Sequence, residues 1–214
     1  MNLGVIGSRH VARALAEGFL KHGHPVMLGT RDASKLAEWA QRNPKARVGS
    51  VAEAAEFGEV VVLAVKGAAA ADVLRAAGAA NLAGKAVIDV TNPLADTPPV
   101  NGVPRFFTTL DESLMERLQQ EFSDARFVKA FNQVNASRMV NPQYAEGRPT
   151  MFICGNDDLA KRTVTQILDL FGWETEDMGR VEAARAIEPL CMLWVIRYIL
   201  SKKYDHAFKL LKQS

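Results

Sequence analysis

The stretch "GVIGSRHVARALAEG", Gly4 to Gly18, decides the fold. An apolar run ends at Gly7, a short turn follows, and then apolar residues recur at helical spacing. Strand, glycine turn and helix in that order open a dinucleotide-binding βαβ unit. In such a turn the first glycine makes the bend, the second lets backbone approach a pyrophosphate, and the third lets helix and strand pack closely. Here Gly7 takes the first place, Arg9 the second and Ala12 the third, where alanine is an accepted substitute. The helix N-terminus, with its exposed amides and the positive end of its dipole, suits a phosphate. Arg9 adds a Cβ where space is usually needed, together with a permanent cation able to pair with phosphate. The competing reading is a turn of this shape that has lost its ligand.

Outward from this turn the alternation continues. The strand candidates are "NLGVIG", "PVMLG", Arg47–Gly49, "EVVVLAV", "KAVIDV", "RFVKAF", "TMFICG" and "WETEDMG". Between them lie helical segments: His10 to His22, closed by Gly23; Ala33 to Arg42; one opened by the capping box "SVAE" at Ser50 to Glu53; Ala68 to Ala77; Glu112 to Phe122; and Asp158 to Phe171. Short β-branched runs alternating with helices predict an α/β fold, a Rossmann-like doubly wound and mainly parallel sheet covered on both faces. Residues 1–180 are read as this domain. Residues 181–214 are read as C-terminal helices that cap it, complete the site and offer a dimer interface, all in one structural unit. They comprise an apolar segment from about Glu182 to Leu200 and a basic amphipathic tail, "KKYDHAFKLLKQS". The longest irregular piece, "TNPLADTPPVNGVPRF", follows a strand directly and has the length of a functional loop.

The end of the second strand candidate sets the nucleotide. A site for NAD places Asp or Glu there to hold the ribose 2′-hydroxyl. This chain has "GTRDASK", Gly29 to Lys35. Thr30 offers a hydroxyl, Arg31 a guanidinium that can clamp a 2′-phosphate and stack on adenine, and Lys35 a further charge. Asp32 is placed to cap the next helix. The bland alternative is a solvated charged loop; taken with the first turn, the reading is NADP(H) rather than NAD.

Other classes are disfavoured. Lys and Arg total 26 against 24 Asp and Glu, a net charge of +2, with no run of five like charges, so the footprint of a nucleic-acid binder is missing. Cys154 and Cys191 stand far apart without partners at ligand spacing, which predicts neither a disulfide framework nor a metal site. No signal-like segment opens the sequence, and its most apolar run, "LCMLWVIRYIL", is too short to span a bilayer, so a cytoplasmic protein without membrane association is expected. No histidine stands in a credible relay: His10 is in the first turn, His22 and His24 flank a helix end, and His206 is in the tail. No catalytic residue is therefore assigned. That fits hydride transfer between two cofactor rings, where the protein aligns the rings and excludes water.

The motifs "RALAEG" after the first turn, "GTRDASK", "DVTNPL", "FVKAFNQVNA", "FICGND" before a helix and "DMGRVEAARAIEPL" span nearly the whole chain. In that order they resemble the NADP oxidoreductases that depend on the deazaflavin coenzyme F420. The chain is also similar to the cytosolic reductase domain of the six-transmembrane metalloreductases. The resemblance implies an NADP(H)-binding domain, a second site for a flavin-like ring, a small-molecule redox substrate and a homodimer. By position it implies Gly7, Ser8, Arg9, His10 and Val11 at the pyrophosphate, and Thr30, Arg31 and Lys35 at the 2′-phosphate. Val65 and Lys66 would border the ribose and nicotinamide, with Thr91, Asn92, Pro93 and Asn132 around the reacting rings. The chain departs from the family at "SRH", where glycine and asparagine are commoner, and at Lys66, where some members have proline.

The implied activity is hydride transfer between NADP(H) and deazaflavin coenzyme F420 or a related flavin. A flavin or ferric reductase using FMN or FAD, and a non-catalytic NADP(H)-binding module, stay open beside it. Hydroxyacid and imine reductases share this N-terminal half, but the stretch after Gly179 is too short for their large helical substrate domain. Bland readings remain for single residues: Asn92 as a turn former, Asn132 as a helix cap, Lys66 as a solvated cation. Met192, Trp194 and Tyr198 recur at helical spacing and are read as core or dimer interface.

Overall fold

The structure, a computed structural model, describes residues 1–213. Its first half alternates β1 (Leu3–Ile6), α1 (His10–Lys21), β2 (Val26–Gly29), α2 (Ala37–Arg42), β3 (Arg47–Gly49), α3 (Val51–Phe57) and β4 (Val60–Leu63). Then come α4 (Ala70–Ala77), α5 (Ala79–Leu82), β5 (Ala86–Asp89), α6 (Leu114–Glu121) and β6 (Arg126–Lys129). The chain ends with β7 (Thr150–Ile153), α7 (Asp158–Leu170), β8 (Glu174–Asp177) and α8 (Ala184–Ser201).

Six strands form one parallel sheet in the order β3-β2-β1-β4-β5-β6. The order reverses between β1 and β4, and the crevice beyond the strand ends at such a reversal is where these sheets bind ligands. The register brings the last residues of the strands level: Ile6 pairs with Gly29 and Leu63, Leu63 with Asp89, and Asp89 with Lys129. β1, β4 and β5 are buried throughout, which is why they read as unbroken apolar runs. Alternate residues of each strand serve opposite faces. Val60 and Val62 join Leu15, Phe19 and Phe171 in one core, while Val61 and Leu63 join Leu74, Leu118 and Phe127 in the other.

The local signals act as the sequence suggests. Ser50 and Ser113 each close a capping box, with Glu53 and Glu116. Gly23, with φ +81, follows the last turn of α1 in the left-handed conformation that glycine tolerates. The segments starting at Ala33 and near Ala68 open as tight 3-10 turns before α2 and α4.

Beside the doubly wound sheet stands a second, two-stranded one: β7 and β8 pair parallel to each other, and their link to β6 is one antiparallel bridge, Lys129 to Cys154. One expectation is corrected. Among the described residues the C-terminal region holds a 3-10 turn, Val181–Ala183, and one α-helix rather than several. Lys202, in the left-handed conformation (φ 59), ends α8, and residues 202–213 run back without helix. There the Thr150 amide donates to the Phe208 carbonyl at 2.8 Å, and the Leu210 amide donates to Thr150 Oγ1 at 3.1 Å. Pairing with the start of β7 overrides the amphipathic period of the tail. Among the described residues no helix is long and apolar enough to cross a membrane.

Candidate functional site

The site is built where β1, β2, β4, β5 and β6 end. Gly7 leaves β1 at φ +142, and a Cβ there would stand 2.3 Å from the Ala64 carbonyl oxygen. Only glycine fits. Its amide donates to the Gly29 carbonyl at 2.9 Å, and the Ala64 amide donates to the Ile6 carbonyl at 2.9 Å, so the turn is wedged between β2 and β4. Ala12 packs beneath, its Cβ 3.0 Å from where a Gly7 Cβ would lie. Arg9 is the N-cap of α1 in extended conformation (φ −96), which a side chain adopts without strain. It makes no capping bond and projects outward, and the first turn of α1 carries no acidic residue to compete for its amides.

Past β2, Thr30 Oγ1 accepts from the Asp32 amide at 3.2 Å, and Asp32 Oδ1 accepts from the Ser34 amide at 3.1 Å. The Ser34 hydroxyl, chiefly, holds the Asp32 carboxyl below its ordinary value. Asp32 thus caps the turn, and Lys35 lies 3.5 Å from it as a weak exposed pair. Among the described residues neither Arg9 nor Arg31 has a carboxylate partner. Arg13, which sequence reasoning missed, ties the two turns together: its Nε donates to the Ser8 carbonyl at 2.9 Å and its Nη2 to the Lys35 carbonyl.

A cavity of about 360 Å³ runs along this edge, lined by Gly7, Ser8, Arg9, Thr30, Arg31, Val65 and Lys66 among others. A second, of about 270 Å³, is lined by His10, Asn92, Asn132, Cys191 and Trp194. The two meet at Val11 and Val90, which line both, and together make one trough. Lys66 reaches across to Asp96 of the proline-rich loop at 2.6 Å. That hydrogen bond holds the Asp96 carboxyl below its usual range.

Asn92 and Asn132 bond reciprocally. Asn92 Nδ2 donates to the Asn132 carbonyl at 2.8 Å, and Asn132 Nδ2 donates to Asn92 Oδ1 at 3.1 Å and to the Ile187 carbonyl at 3.0 Å. The second cavity is thereby closed by α8. The cap reading of Asn132 is set aside, because Asn135 caps the short turn that follows. Thr91 and Pro93 line neither cavity: the Thr91 hydroxyl donates to Asp89 Oδ1 at 2.7 Å, and the Pro93 carbonyl accepts from the Phe107 amide at 2.9 Å. Lys35 lies outside both, and His10 faces the second. Trp194, expected in a core or interface, is a wall of the second cavity and stacks on His206 at 4.5 Å.

Beneath the paired asparagines lies a buried charge cluster. Lys129 Nζ stands 2.6 Å from Asp89 and 2.9 Å from Glu188, and donates to the Thr91 carbonyl at 3.0 Å. Glu188 also accepts from the Leu114 and Met115 amides at the start of α6. Burial opposes the charge on Lys129, but Asp89 and Glu188 outweigh it and hold the ammonium above its ordinary pKa. The available signal was a charge inside an apolar strand, which needs a partner.

A parallel sheet with its reversal at β1 and β4, a glycine turn at a helix N-terminus and a trough on that edge define a dinucleotide-binding α/β protein. The profile of the family described as NADP oxidoreductase, coenzyme F420-dependent, matches residues 2–93. The crystal structure of an Arthrobacter sp. FB24 protein, provisionally named an F420-dependent NADP-reductase, is 32% identical. It superposes with a TM-score of 0.92, covering 98% of this chain and 99% of that one. The chain belongs to this family and is an NADP-dependent oxidoreductase.

Rat metalloreductase STEAP3 is 29% identical over 93% of the chain, and human metalloreductase STEAP2 is 27% identical over 89%. The chain spans 39% and 36% of the length of these two curated relatives. An imine reductase of Streptomyces aurantiacus, 18% identical with a TM-score of 0.70 over 94% of this chain and 64% of that one, shares the fold.

Proposed function

We propose that the protein passes hydride from NADPH to a deazaflavin of the coenzyme F420 type. The observation that carries this reading is the trough itself: a cation-lined half without a carboxylate at the end of β2, joined to a ring-sized half that α8 closes. The chain's residues fit the dinucleotide. Gly7 leaves a cradle that a Cβ would fill, and Asn132 keeps a buried oxygen without a protein donor. The α1 amides and Arg9 would hold the pyrophosphate, and Thr30 and Arg31, with Lys35 outside the cavity, the 2′-phosphate. Val65 and Lys66 would border the ribose, and Asn92 and Asn132 the nicotinamide. When bound, the nicotinamide supplies the hydride. The chain's part is to align the rings and keep water out, which needs no acid or base.

Two further features go with this reading. Leu193 and Leu200 of α8, 58% and 71% exposed, with Val100 of the loop supply an apolar face for a homodimer. Two unpaired buried thiols fit a reducing cytoplasm.

The rat and human relatives keep a second acceptor in view, since both are named as metalloreductases. Anaerobic mixing of the protein and NADPH with F420, FMN, FAD or a ferric chelate decides between them. Loss of nicotinamide absorbance with F420 alone is expected. Loss with free flavin or ferric chelate would favour the second reading, and binding without oxidation would make the chain a binding module.

A further inference from the structure

Arg13 stands in the first turn of α1, half-buried, and its guanidinium forks between two backbone carbonyls. Nε donates to Ser8, in the turn after β1, at 2.9 Å, and Nη2 donates to Lys35, beyond the end of β2. The planar fork fixes where its donors point, so two carbonyls held by one guanidinium are held at a set separation. Glu17, four residues on and so on the same face of α1, accepts from Trp39 Nε1 of α2 at 2.6 Å and ties the next stretch of chain to that face. Each turn has bonds of its own. The Gly7 amide donates to the Gly29 carbonyl where both turns leave the sheet, and Thr30, Asp32 and Ser34 bond among themselves. Past Gly29, however, the second turn runs free of the sheet as far as Lys35. Among the described residues the Arg13–Lys35 contact is the only hydrogen bond between residues 30–36 and residues 8–13. Ser8, Arg9, Thr30 and Arg31 line the cavity, whereas Arg13 does not; it stands behind the wall and acts on the main chain of both turns.

We propose that Arg13 is a positioning residue for the choice of NADP(H) over NAD(H). It holds the turn of Thr30 and Arg31 at a fixed offset from the turn of Ser8 and Arg9, so that a dinucleotide with a 2′-phosphate meets both at once. This rests on the reading that NADP(H) lies along the trough with its phosphates at those two turns. A ligand that uses only the first turn gains nothing from the spacing. One that spans both gains an ordering of residues 30–35 that is in place before it binds. Part of the preference for the 2′-phosphate thus comes from a side chain that never touches it.

Titration of the whole chain with NADP⁺ and NAD⁺ tests this in four forms: wild type, Arg13→Met, Arg31→Ala and the double variant. Methionine keeps an apolar stem and removes every donor. Arg13→Met should weaken NADP⁺ by about 5–10-fold and NAD⁺ by less than about 2-fold, the loss of pre-ordering alone. The double variant separates position from charge. A guanidinium felt by the 2′-phosphate through space costs the same whether or not Arg31 is present, whereas one that acts through the turn loses its effect once Arg31 has gone. In the Arg31→Ala background the NADP⁺ loss caused by Arg13→Met should therefore shrink to about 2-fold or less. Equal weakening of both nucleotides, weakening of neither, or the full loss retained in the Arg31→Ala background overturns this inference alone. A wild type without preference for NADP⁺ overturns the 2′-phosphate reading and takes the inference with it. Arg13→Gln, too short to reach both carbonyls, is expected to show the same pattern and carries the test should Arg13→Met fail to fold.

Discussion

Glu188 Oε1 of α8 lies 2.9 Å from the Lys129 ammonium of β6, and neither side chain has meaningful contact with water. Asp89 flanks the same ammonium at 2.6 Å, and two amides of α6 donate to Glu188. Four elements, β5, β6, α6 and α8, are thus fastened at one point beneath the ring-side half of the trough. Removing one partner of a buried pair leaves the other charge without compensation. Glu188→Ala should lower unfolding stability by ~3–5 kcal/mol. Glu188→Gln, which keeps one oxygen, should cost less. Urea denaturation checks both, and an unchanged midpoint in the alanine variant would remove the cluster's structural role.

The same cluster sets an alkaline limit. Because the Lys129 pKa is raised on folding, its contribution to stability is full below the unfolded lysine value of about 10.4 and is lost as pH rises through the higher folded value. Unfolding midpoints should not fall on account of Lys129 until pH exceeds that unfolded value. A loss between neutral pH and pH 9 that Lys129→Met abolishes would contradict the assignment.

Gly7→Ala should damage both fold and site. The new Cβ meets the Ala64 carbonyl at 2.3 Å with φ at +142, so β1 and β4 must part at the turn. Strain of this kind costs ~1–3 kcal/mol. The melting temperature should drop and NADPH fluorescence titration should show no saturable binding. A variant that melts and binds like the wild type would mean the turn is not the phosphate cradle.

Asp96 holds Lys66 at 2.6 Å on the rim of the trough, and on the proposed reading it would compete with the cofactor for that cation. Asp96→Asn is expected to tighten NADPH binding by ~2–5-fold at low salt, a gain that fades as salt screens the exposed charges. Weaker binding would show instead that the loop contact supports the cofactor.

Cys154 and Cys191 should be inert in the native protein. Burial pushes both thiols up to about 12, so at pH 8 roughly one molecule in ten thousand carries the reactive thiolate. A thiol reagent should find no fast-reacting group in buffer and two per chain in guanidinium. Rapid native reaction at either would place it in an open, polar pocket.

Local patterns made most of the fold legible. Val60–Leu63 and Ala86–Asp89 are buried on both faces and so appear as short unbroken apolar runs, and Ser50 with Glu53 writes its cap into four residues. Gly7, Arg31 and Asn132 could be found because turn chemistry and strand ends are local. What escaped depends on distant partners. Arg13 acts through two carbonyls on other turns, and Lys129 is joined to Asp89 and Glu188 only by the fold. The tail has a helical period but is captured by Thr150, and Thr91 turns its hydroxyl down to Asp89 instead of toward the trough.

In the proposed reading NADP(H) lies along the trough with its 2′-phosphate at Thr30 and Arg31. Calorimetric titration of wild type and Arg31→Ala with NADPH and NADH tests it most directly. The wild type should prefer NADPH, and Arg31→Ala should weaken NADPH by ~10–100-fold, the worth of a charge-assisted phosphate contact, while leaving NADH almost unchanged. No heat with NADPH, or equal weakening of both nucleotides, would contradict it.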